Sequence, residues 1–277
     1  MKRTALITGA SGGIGFQFAK LLAQDAYNVV LIARTENRLL EIKKEFEQKH
    51  NVHVLVFSKD LTKPNAVKEI YNELKRQNIK IDVLINNAGF GNFGKFYDTD
   101  WEKEAKMLQL NIFALTHLTK LFLKDMVDRG EGKILNVSST SAFQPGPLMS
   151  IYYASKAYVQ SFSEAIAKEV KGTGVTVTTL CPGPVKTGFQ KRVSDIEPRL
   201  INLNLADPES VARYGYRALQ RGDRVAIPGL FNQFLVHTVN FIPRNAVTDI
   251  IYYLQEKNRK SRIKITSLIP DFKKLIR

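Results

Sequence analysis

Tyr152 and Lys156 stand four residues apart in Tyr-Tyr-Ala-Ser-Lys, at the start of a stretch with helical periodicity, so one helix face carries both. A phenol ionises near pH ~10, too high for easy proton exchange at neutral pH. A neighbouring ammonium favours the phenolate. A lowering of about two to three units is worth about 3–4 kcal/mol and brings the group towards the range where one side chain can both give and take a proton. Taken alone the pair is also ordinary for an amphipathic helix face. Tyr153 competes with Tyr152, but the residue four positions after it is Ala157.

A second chemical signal lies near the N-terminus, in Thr-Gly-Ala-Ser-Gly-Gly-Ile-Gly over residues 8–15. Glycines let the backbone turn sharply and approach a pyrophosphate, and the N-terminus of the following helix offers free N–H groups. The candidate contacts are Gly9, Ser11, Gly12, Gly13, Ile14 and Gly15. Two spacings overlap here, one through Gly9, Gly13 and Gly15, the other through Gly9, Gly12 and Gly15. Arg34 ends the next apolar run, and no carboxylate stands at Ala33 or Arg34. An acidic residue at this place accepts from the ribose 2′-hydroxyl of NAD, whereas an arginine suits the 2′-phosphate of NADP. Arg34 therefore points to NADP(H), with Ser11, Thr35 and Arg38 able to assist.

The elements that must position these residues alternate. Strand-like runs fall at residues 4–8, 28–33, 52–57, 82–86, 133–138, 175–180 and 225–227. Helical periodicity falls at 14–24, 36–49, 64–76, 101–128 and 151–171. Strands this apolar, separated by helices, imply a parallel sheet covered on both faces. The expected fold is α/β, a doubly wound (Rossmann-type) parallel sheet of about seven strands, with ligands at the carboxyl ends. Residues 1–228 form that domain in this reading, and 229–277 a helical extension packed on it and ending in a basic tail.

In this order the motifs resemble the compact, single-domain branch of the short-chain dehydrogenase/reductase family, over about residues 3–228. The matching segments are the glycine turn, Asp60-Leu61, Asn86-Asn-Ala-Gly89, Asn111, Ser139, Tyr152 to Lys156, and Pro182-Gly-Pro-Val-Lys-Thr187. Ser139 lies thirteen residues upstream of Tyr152, a separation that matches this branch rather than the epimerase-like one, which favours the Gly9, Gly13, Gly15 spacing. The resemblance implies a catalytic set of Tyr152, Lys156, Ser139 and Asn111. Tyr152 transfers the proton, and Ser139, chosen over Ser138 by the family register, steadies the substrate oxygen. Lys156 lowers the tyrosine pKa and holds the ribose, and Asn111 helps hold a water that relays protons to the lysine. It also implies cofactor contacts from Asp60, Leu61, Asn87, Ala88, Gly89, Tyr152, Lys156, Pro182, Gly183, Val185 and Thr187. The implied reaction is hydride transfer between NADP(H) and a ketone, aldehyde or matching alcohol. The alternative is a non-catalytic NADP-binding regulator or scaffold, against which the intact set of four argues. A homodimer or homotetramer is the implied assembly.

Composition bounds the rest. The chain of 277 residues carries 41 Lys and Arg against 26 Asp and Glu, a formal charge of +15. Such a surface suits nucleic acid, an anionic membrane or acidic small molecules, or reflects a general bias to lysine. No base-stacking or helix-reading motif accompanies it, so no nucleic-acid partner is expected. The single cysteine, Cys181, excludes an internal disulfide and fits a reducing, cytoplasmic setting. The apolar run after Lys2 and Arg3 is too short for a signal sequence, and no run reaches membrane-spanning length. The four histidines show no ligand spacing with Cys181, so no metal is expected. Phe90, Phe93, Phe96, Phe143, Pro145, Leu148, Met149 and Phe189 suggest an apolar substrate mouth, and residues 186–205 a lid. Residues 230–254 read as two amphipathic helices broken at Pro243. In order of preference they cap the pocket, pack on a second subunit, or lie on a membrane beside the basic tail.

Overall fold

The computed structural model describes residues 2–189, 205–239 and 241–268, the side chains of the last helix through Lys257. Seven strands form one sheet: β1 (Thr4–Thr8), β2 (Asn28–Ala33), β3 (Val54–Ser58), β4 (Val83–Asn86), β5 (Gly132–Val137), β6 (Val175–Leu180) and β7 (Val225–Ala226). Every pairing is parallel, in the order β3-β2-β1-β4-β5-β6-β7. The chain winds outward from β1 to β3 and returns to β4, beside β1. The crevice between the carboxyl ends of β1 and β4 is the switch point where such sheets bind ligands.

Alternate strand residues feed two cores. Ala5, Ile7, Val29 and Leu31 pack with Phe18 and Leu22 of α1 (Gly13–Gln24), Ile42 and Phe46 of α2 (Glu36–His50), and Val211 and Leu219 of α7 (Pro208–Arg221). Leu6, Val30 and Ile32 pack with Ile70 and Leu74 of α3 (Ala66–Arg76), Phe122 and Met126 of α5 (Leu115–Arg129), and Ile166 of α6 (Ser150–Glu169). Each of the Val, Leu, Ile, Phe and Met side chains among these contributes about 1.5–3 kcal/mol through burial, so the sheet is fixed from both faces.

Between β4 and β5, Asn86 and Asn136 are register partners. The Asn86 amide donates to Asn136 Oδ1 (2.9 Å) and Thr119 Oγ1 (3.0 Å), and Asn136 Nδ2 donates to Ser163 Oγ (2.9 Å). These buried bonds tie α5 and α6 to the sheet next to the crevice.

Four boundaries depart from the sequence reading. The helix expected over 101–128 is α4 (Trp101–Leu108), a π-helical turn (Gln109–Ala114) and α5. β3 begins two residues late, because the N–H of His53 goes to the Asn28 side chain (2.9 Å) rather than into the ladder. α3 begins at Ala66 rather than near Pro64, because Asp60 accepts from both N and Oγ1 of Thr62 and turns the chain first. After β7 come α8 (Leu230–Val239) and α9 (Arg244–Leu268), separated near Pro243 as expected, with α9 running well past Leu254.

Candidate active site

The glycine turn sits between β1 and α1. Gly9 and Gly13 adopt left-handed φ of 68° and 55°, which favours glycine. Gly15 cannot carry a Cβ without striking Gly9 O and Asn87 Nδ2. Gly12 caps α1 with no side-chain bond, and a Cβ there would meet nothing within 4 Å. The first N–H groups of α1 therefore face open space without an internal cap, the arrangement that receives phosphate.

The turn is held from β4. Backbone N–H groups of Asn87 and Ala88 both donate to Thr8 Oγ1 (3.0 Å each), and Asn87 Nδ2 donates to Thr8 O (3.0 Å). The Asn87 side chain, expected to touch the cofactor, thus braces the turn while its residue borders the crevice.

One crevice of about 800 Å³ gathers the expected residues. Gly9, Ser11, Gly12, Gly13 and Ile14 line one end, with Arg34, Asp60 and Leu61 beyond β2 and β3. Asn87, Ala88 and Gly89 form the floor after β4, and Ser139, Tyr152 and Lys156 the far side. Pro182, Gly183, Val185 and Thr187 close it after β6, Thr187 Cγ2 lying 3.1 Å from where a Gly13 Cβ would stand. Gly15 and Asn111 do not line it. Gly15 is packed inside the turn, and buried Asn111 lies behind Gly89. Arg38 does not line it either: it pairs with Glu41 (2.8 Å) and covers the Phe16 ring.

Asp60 ionises below the ordinary carboxylate range. Burial pushes it up, but two hydrogen bonds from Thr62 and the nearby Arg34 together outweigh burial. Its carboxylate is thereby committed to the loop.

At the other end, Tyr152 and Lys156 project from the first turns of α6, both buried, with Lys156 Nζ 5.8 Å from the Tyr152 ring centroid. Lys156 Nζ donates to Val137 O at the end of β5 (2.9 Å). Burial pushes the Tyr152 phenol up to about 12, opposed only in part by hydrogen bonding to Ser139 and Ser141. Burial also draws the Lys156 ammonium down to about 8. In this structure the phenol therefore lies above its ordinary value rather than below it, because desolvation exceeds the effect of the Ser139 and Ser141 hydrogen bonds. Ser138 and Ser139 both line the crevice but are bonded differently. Ser138 Oγ donates to Lys156 O (2.8 Å) and is buried, whereas Ser139 Oγ caps a short turn, accepting from Ser141 N (3.1 Å) beside the crevice.

Asn111 occupies the π-helical turn. Its side chain accepts from Phe90 N (3.2 Å) and donates to Phe90 O (3.0 Å) and Ser155 Oγ (3.1 Å), while Ser155 Oγ donates to Tyr152 O (2.7 Å). A Cβ on Gly89 would come 3.0 Å from Asn111 Oδ1 and 3.6 Å from Lys156 Nζ.

Of the expected apolar mouth, Phe90, Phe93, Met149 and Phe189 line the crevice, the Phe189 and Tyr152 rings being 5.4 Å apart. Phe96 is exposed, Phe143 packs against Cys181 and Val236, and Leu148 and Pro145 do not reach the crevice. Residues 190–204, most of the expected lid, lie outside the described residues. The ends of that segment are clamped by a bridge between Val185 and Ala206, with Lys186 N donating to Ala206 O (2.9 Å).

The sequence reading missed Lys59, Gln144 and Gln255, which also line the crevice. Gln255 comes from α9 and its Nε2 lies 3.4 Å from Tyr153 OH and 3.9 Å from Met149 Sδ. No spacing could reveal it, since 102 residues separate Gln255 from Tyr153. Among the described residues no group of His, Cys, Asp and Glu is placed to hold a metal. Cys181 is buried, and burial pushes its thiol up to about 12.

The strand order, the uncapped glycine turn and the Tyr-Lys-Ser cluster define a doubly wound α/β protein with its site at the switch point. The family described as short chain dehydrogenase matches residues 3–198, and the chain belongs to the short-chain dehydrogenase/reductase family. It is 36% identical over 200 residues to 17-beta-hydroxysteroid dehydrogenase type 3 of Mus musculus, covering 70% of this chain and 64% of that protein. It is 34% identical over 191 residues to very-long-chain 3-oxoacyl-CoA reductase-B of Danio rerio, covering 68% of this chain and 61% of that protein. The chain therefore matches less than two thirds of the length of these relatives. Among solved structures, a short-chain dehydrogenase from Sphingobium yanoikuyae in complex with NADPH is 31% identical with a TM-score of 0.77, covering 82% of this chain and 88% of that one. A family member from Burkholderia phymatum in complex with NAD, 22% identical with a TM-score of 0.77 over 85% of this chain and 92% of that one, shares the fold.

Proposed function

We propose that this protein is an NADP(H)-dependent oxidoreductase that reduces a ketone or aldehyde on an apolar substrate, or oxidises the matching alcohol. The observation that carries this reading is the convergence of Tyr152, Lys156 and Ser139 at one end of the crevice whose other end is the uncapped glycine turn.

The residues present fit a dinucleotide phosphate. The open N-terminus of α1 and the empty space over Gly12 suit the pyrophosphate. Arg34 stands at the end of β2 with Ser11, Thr35 and Lys59 in the same lining; the Asp60 carboxylate lines that end too, accepting from Thr62 N and Oγ1, and β2 itself ends without an acidic residue. That environment favours a 2′-phosphate over a bare ribose. The bound cofactor would supply or accept the hydride.

The chain's own part is orientation and proton transfer. Tyr152, kept neutral by burial, donates its hydroxyl proton to the carbonyl oxygen in reduction. Ser139 donates a hydrogen bond to the same oxygen. Lys156, drawn down to about 8, remains mostly charged at neutral pH and steadies the phenolate left behind. Asn111 positions this set by gripping the Phe90 backbone and Ser155. Phe90, Phe93, Met149 and Phe189 make the substrate end apolar, in keeping with the hydroxysteroid and 3-oxoacyl names of two relatives.

The test is turnover of a panel of bulky ketones, aldehydes and 3-oxoacyl thioesters with NADPH and with NADH. We expect kcat/KM at least tenfold higher with NADPH. Tyr152→Phe is expected to keep NADPH affinity and lose about 10²–10⁴ in kcat, the usual share of a general acid. Equal use of NADH would sink the cofactor choice, and near-normal kcat in the variant would sink the role of Tyr152. NADPH binding with no turnover across the panel would favour a non-catalytic regulator.

A further inference from the structure

We infer that α8 and the start of α9 form a docking face for an anionic lipid surface, beside the crevice. The inference rests on the proposed apolar-carbonyl reading only for what the docking is for, and the binding itself is independent of it.

α8 is inverted relative to an ordinary surface helix. Two of its polar side chains, Asn232 and Gln233, face the protein, Asn232 Nδ2 donating to Pro228 O (2.7 Å) and Gln233 Nε2 to Ile227 O (2.8 Å), while His237 is exposed. Val236 anchors it against Cys181 and Ile227. Its large apolar side chains face outward, Leu230, Phe231 and Phe234 being 84%, 68% and 65% exposed, and Phe241 just beyond is 86% exposed. Residues 230–243 contain no Asp, Glu, Lys or Arg. On α9, Ile250, Tyr253 and Leu254 continue the exposed apolar side chains. Single exposed apolar residues need no explanation, but a charge-free helix with three of its largest side chains outward marks a contact surface.

Charge identifies the occupant. Past Gln255 and Glu256, α9 runs from its apolar half into a basic stretch, Lys257, Arg259, Lys260, Arg262 and Lys264. An apolar face followed by a basic run is the pattern that enters the headgroup region of an anionic bilayer, with aromatic side chains dipped into it. A second copy of this chain is the poorer fit, since two molecules of formal charge +15 repel. Among the described residues no helix is long and apolar enough to cross a membrane, so the contact lies on the surface. The face is coupled to the site. Asn232 packs against Gly183 of the crevice wall, its Nδ2 2.8 Å from where a Cβ would stand, and Gln255 of α9 lines the crevice itself. A docked molecule would thus hold its substrate end close to the phase in which apolar carbonyl compounds dissolve.

The experiment is sedimentation of the full chain with vesicles of phosphatidylcholine alone and with 30 mol% (roughly one lipid in three) phosphatidylglycerol, without cofactor or substrate, so its result is separable from any failure of turnover. We expect at least tenfold tighter binding to the anionic vesicles, lost at about 0.5 M salt, where screening shortens to about 4 Å. The combined variant Phe231→Ser, Phe234→Ser, Phe241→Ser should lose at least tenfold in binding while keeping its kcat on a water-soluble ketone and its melting temperature. A second variant, Arg259→Gln, Lys260→Gln, Arg262→Gln, should lose binding to the anionic vesicles and retain the weak binding to neutral ones. Equal binding to both vesicle types would overturn the anionic choice. Absence of binding, with light scattering showing a wild-type dimer that the aromatic variant splits, would assign the face to a second copy and overturn the proposal.

Discussion

Lys156 is the residue whose chemistry and stability conflict most directly. Its ammonium is buried beside Tyr152 with a single backbone carbonyl, Val137 O, as its hydrogen-bond partner in that bond. Burial draws its pKa from 10.5 to about 8. The sign follows from linkage: the folded state releases this proton more readily than the unfolded chain, so the charge opposes folding. The penalty is complete below about pH 8 and fades as pH rises towards the unfolded value of 10.5. Replacing the lysine by methionine removes this titration but also the bond to Val137, so the absolute change in stability mixes two effects. The pH dependence isolates one of them. Between pH 7 and pH 9.5 the wild type should gain about 2 kcal/mol relative to Lys156→Met, or roughly 4–8 °C in relative melting temperature for a chain of this size. Thermal unfolding of both proteins across that range measures it. A constant difference would mean the lysine is not desolvated as its burial implies. The Tyr152 phenol, pushed up to about 12, stays protonated throughout this window and does not blur the comparison.

At the scale of elements, the π-helical turn between α4 and α5 carries Asn111 behind the crevice and is the element that the sequence reveals least. The segment Gln-Leu-Asn-Ile-Phe-Ala contains no glycine or proline, so its composition reads as continuous helix. A π turn widens the helix locally, and such turns are frequently found at functional sites. Here the widened turn carries Asn111, whose three bonds reach Phe90, 21 residues earlier, and Ser155, 44 residues later. Partners so distant leave no local pattern. Asn111→Ala should lower stability by about 1–3 kcal/mol, because the Phe90 N–H and C=O lose their partner. It should also reduce kcat at least tenfold while leaving the KM for NADPH within threefold, since Asn111 stands behind the crevice and not in its lining; unfolding and steady-state kinetics test both halves. The legible parts had local causes. Strands β1 and β2 were visible as uninterrupted apolar runs because both their faces are covered, and the glycine turn because its backbone geometry demands glycine. Gln255 was invisible for the same reason as the π turn, since only the path of α8 and α9 brings it to Tyr153.

At the scale of the whole molecule, the crevice joins two halves of one sheet. Gly9 to Ile14, Arg34 and Asp60 belong to the β1–β3 half, and Asn87, Ser139, Tyr152 and Thr187 to the β4–β6 half. The halves meet where β1 pairs with β4 through three residues, Ala5 to Val83, Leu6 to Leu84 and Ile7 to Ile85. A dinucleotide spanning the crevice would touch both halves, and neither half alone presents the full set of contacts. Binding should therefore stabilise the molecule as one unit rather than protect a part. At a hundred times its dissociation constant a ligand specific for the folded state adds about 2.7 kcal/mol, which corresponds to roughly 5–10 °C in melting temperature for a chain of this length. NADPH should produce such a shift in a single, unbroken transition. NADH at the same concentration should produce a smaller one, because it cannot use Arg34. A transition split in two by NADPH would show that the halves unfold separately. Equal shifts from the two cofactors would remove Arg34 from recognition while leaving the shared crevice intact, so one measurement separates the architecture of the site from its selectivity.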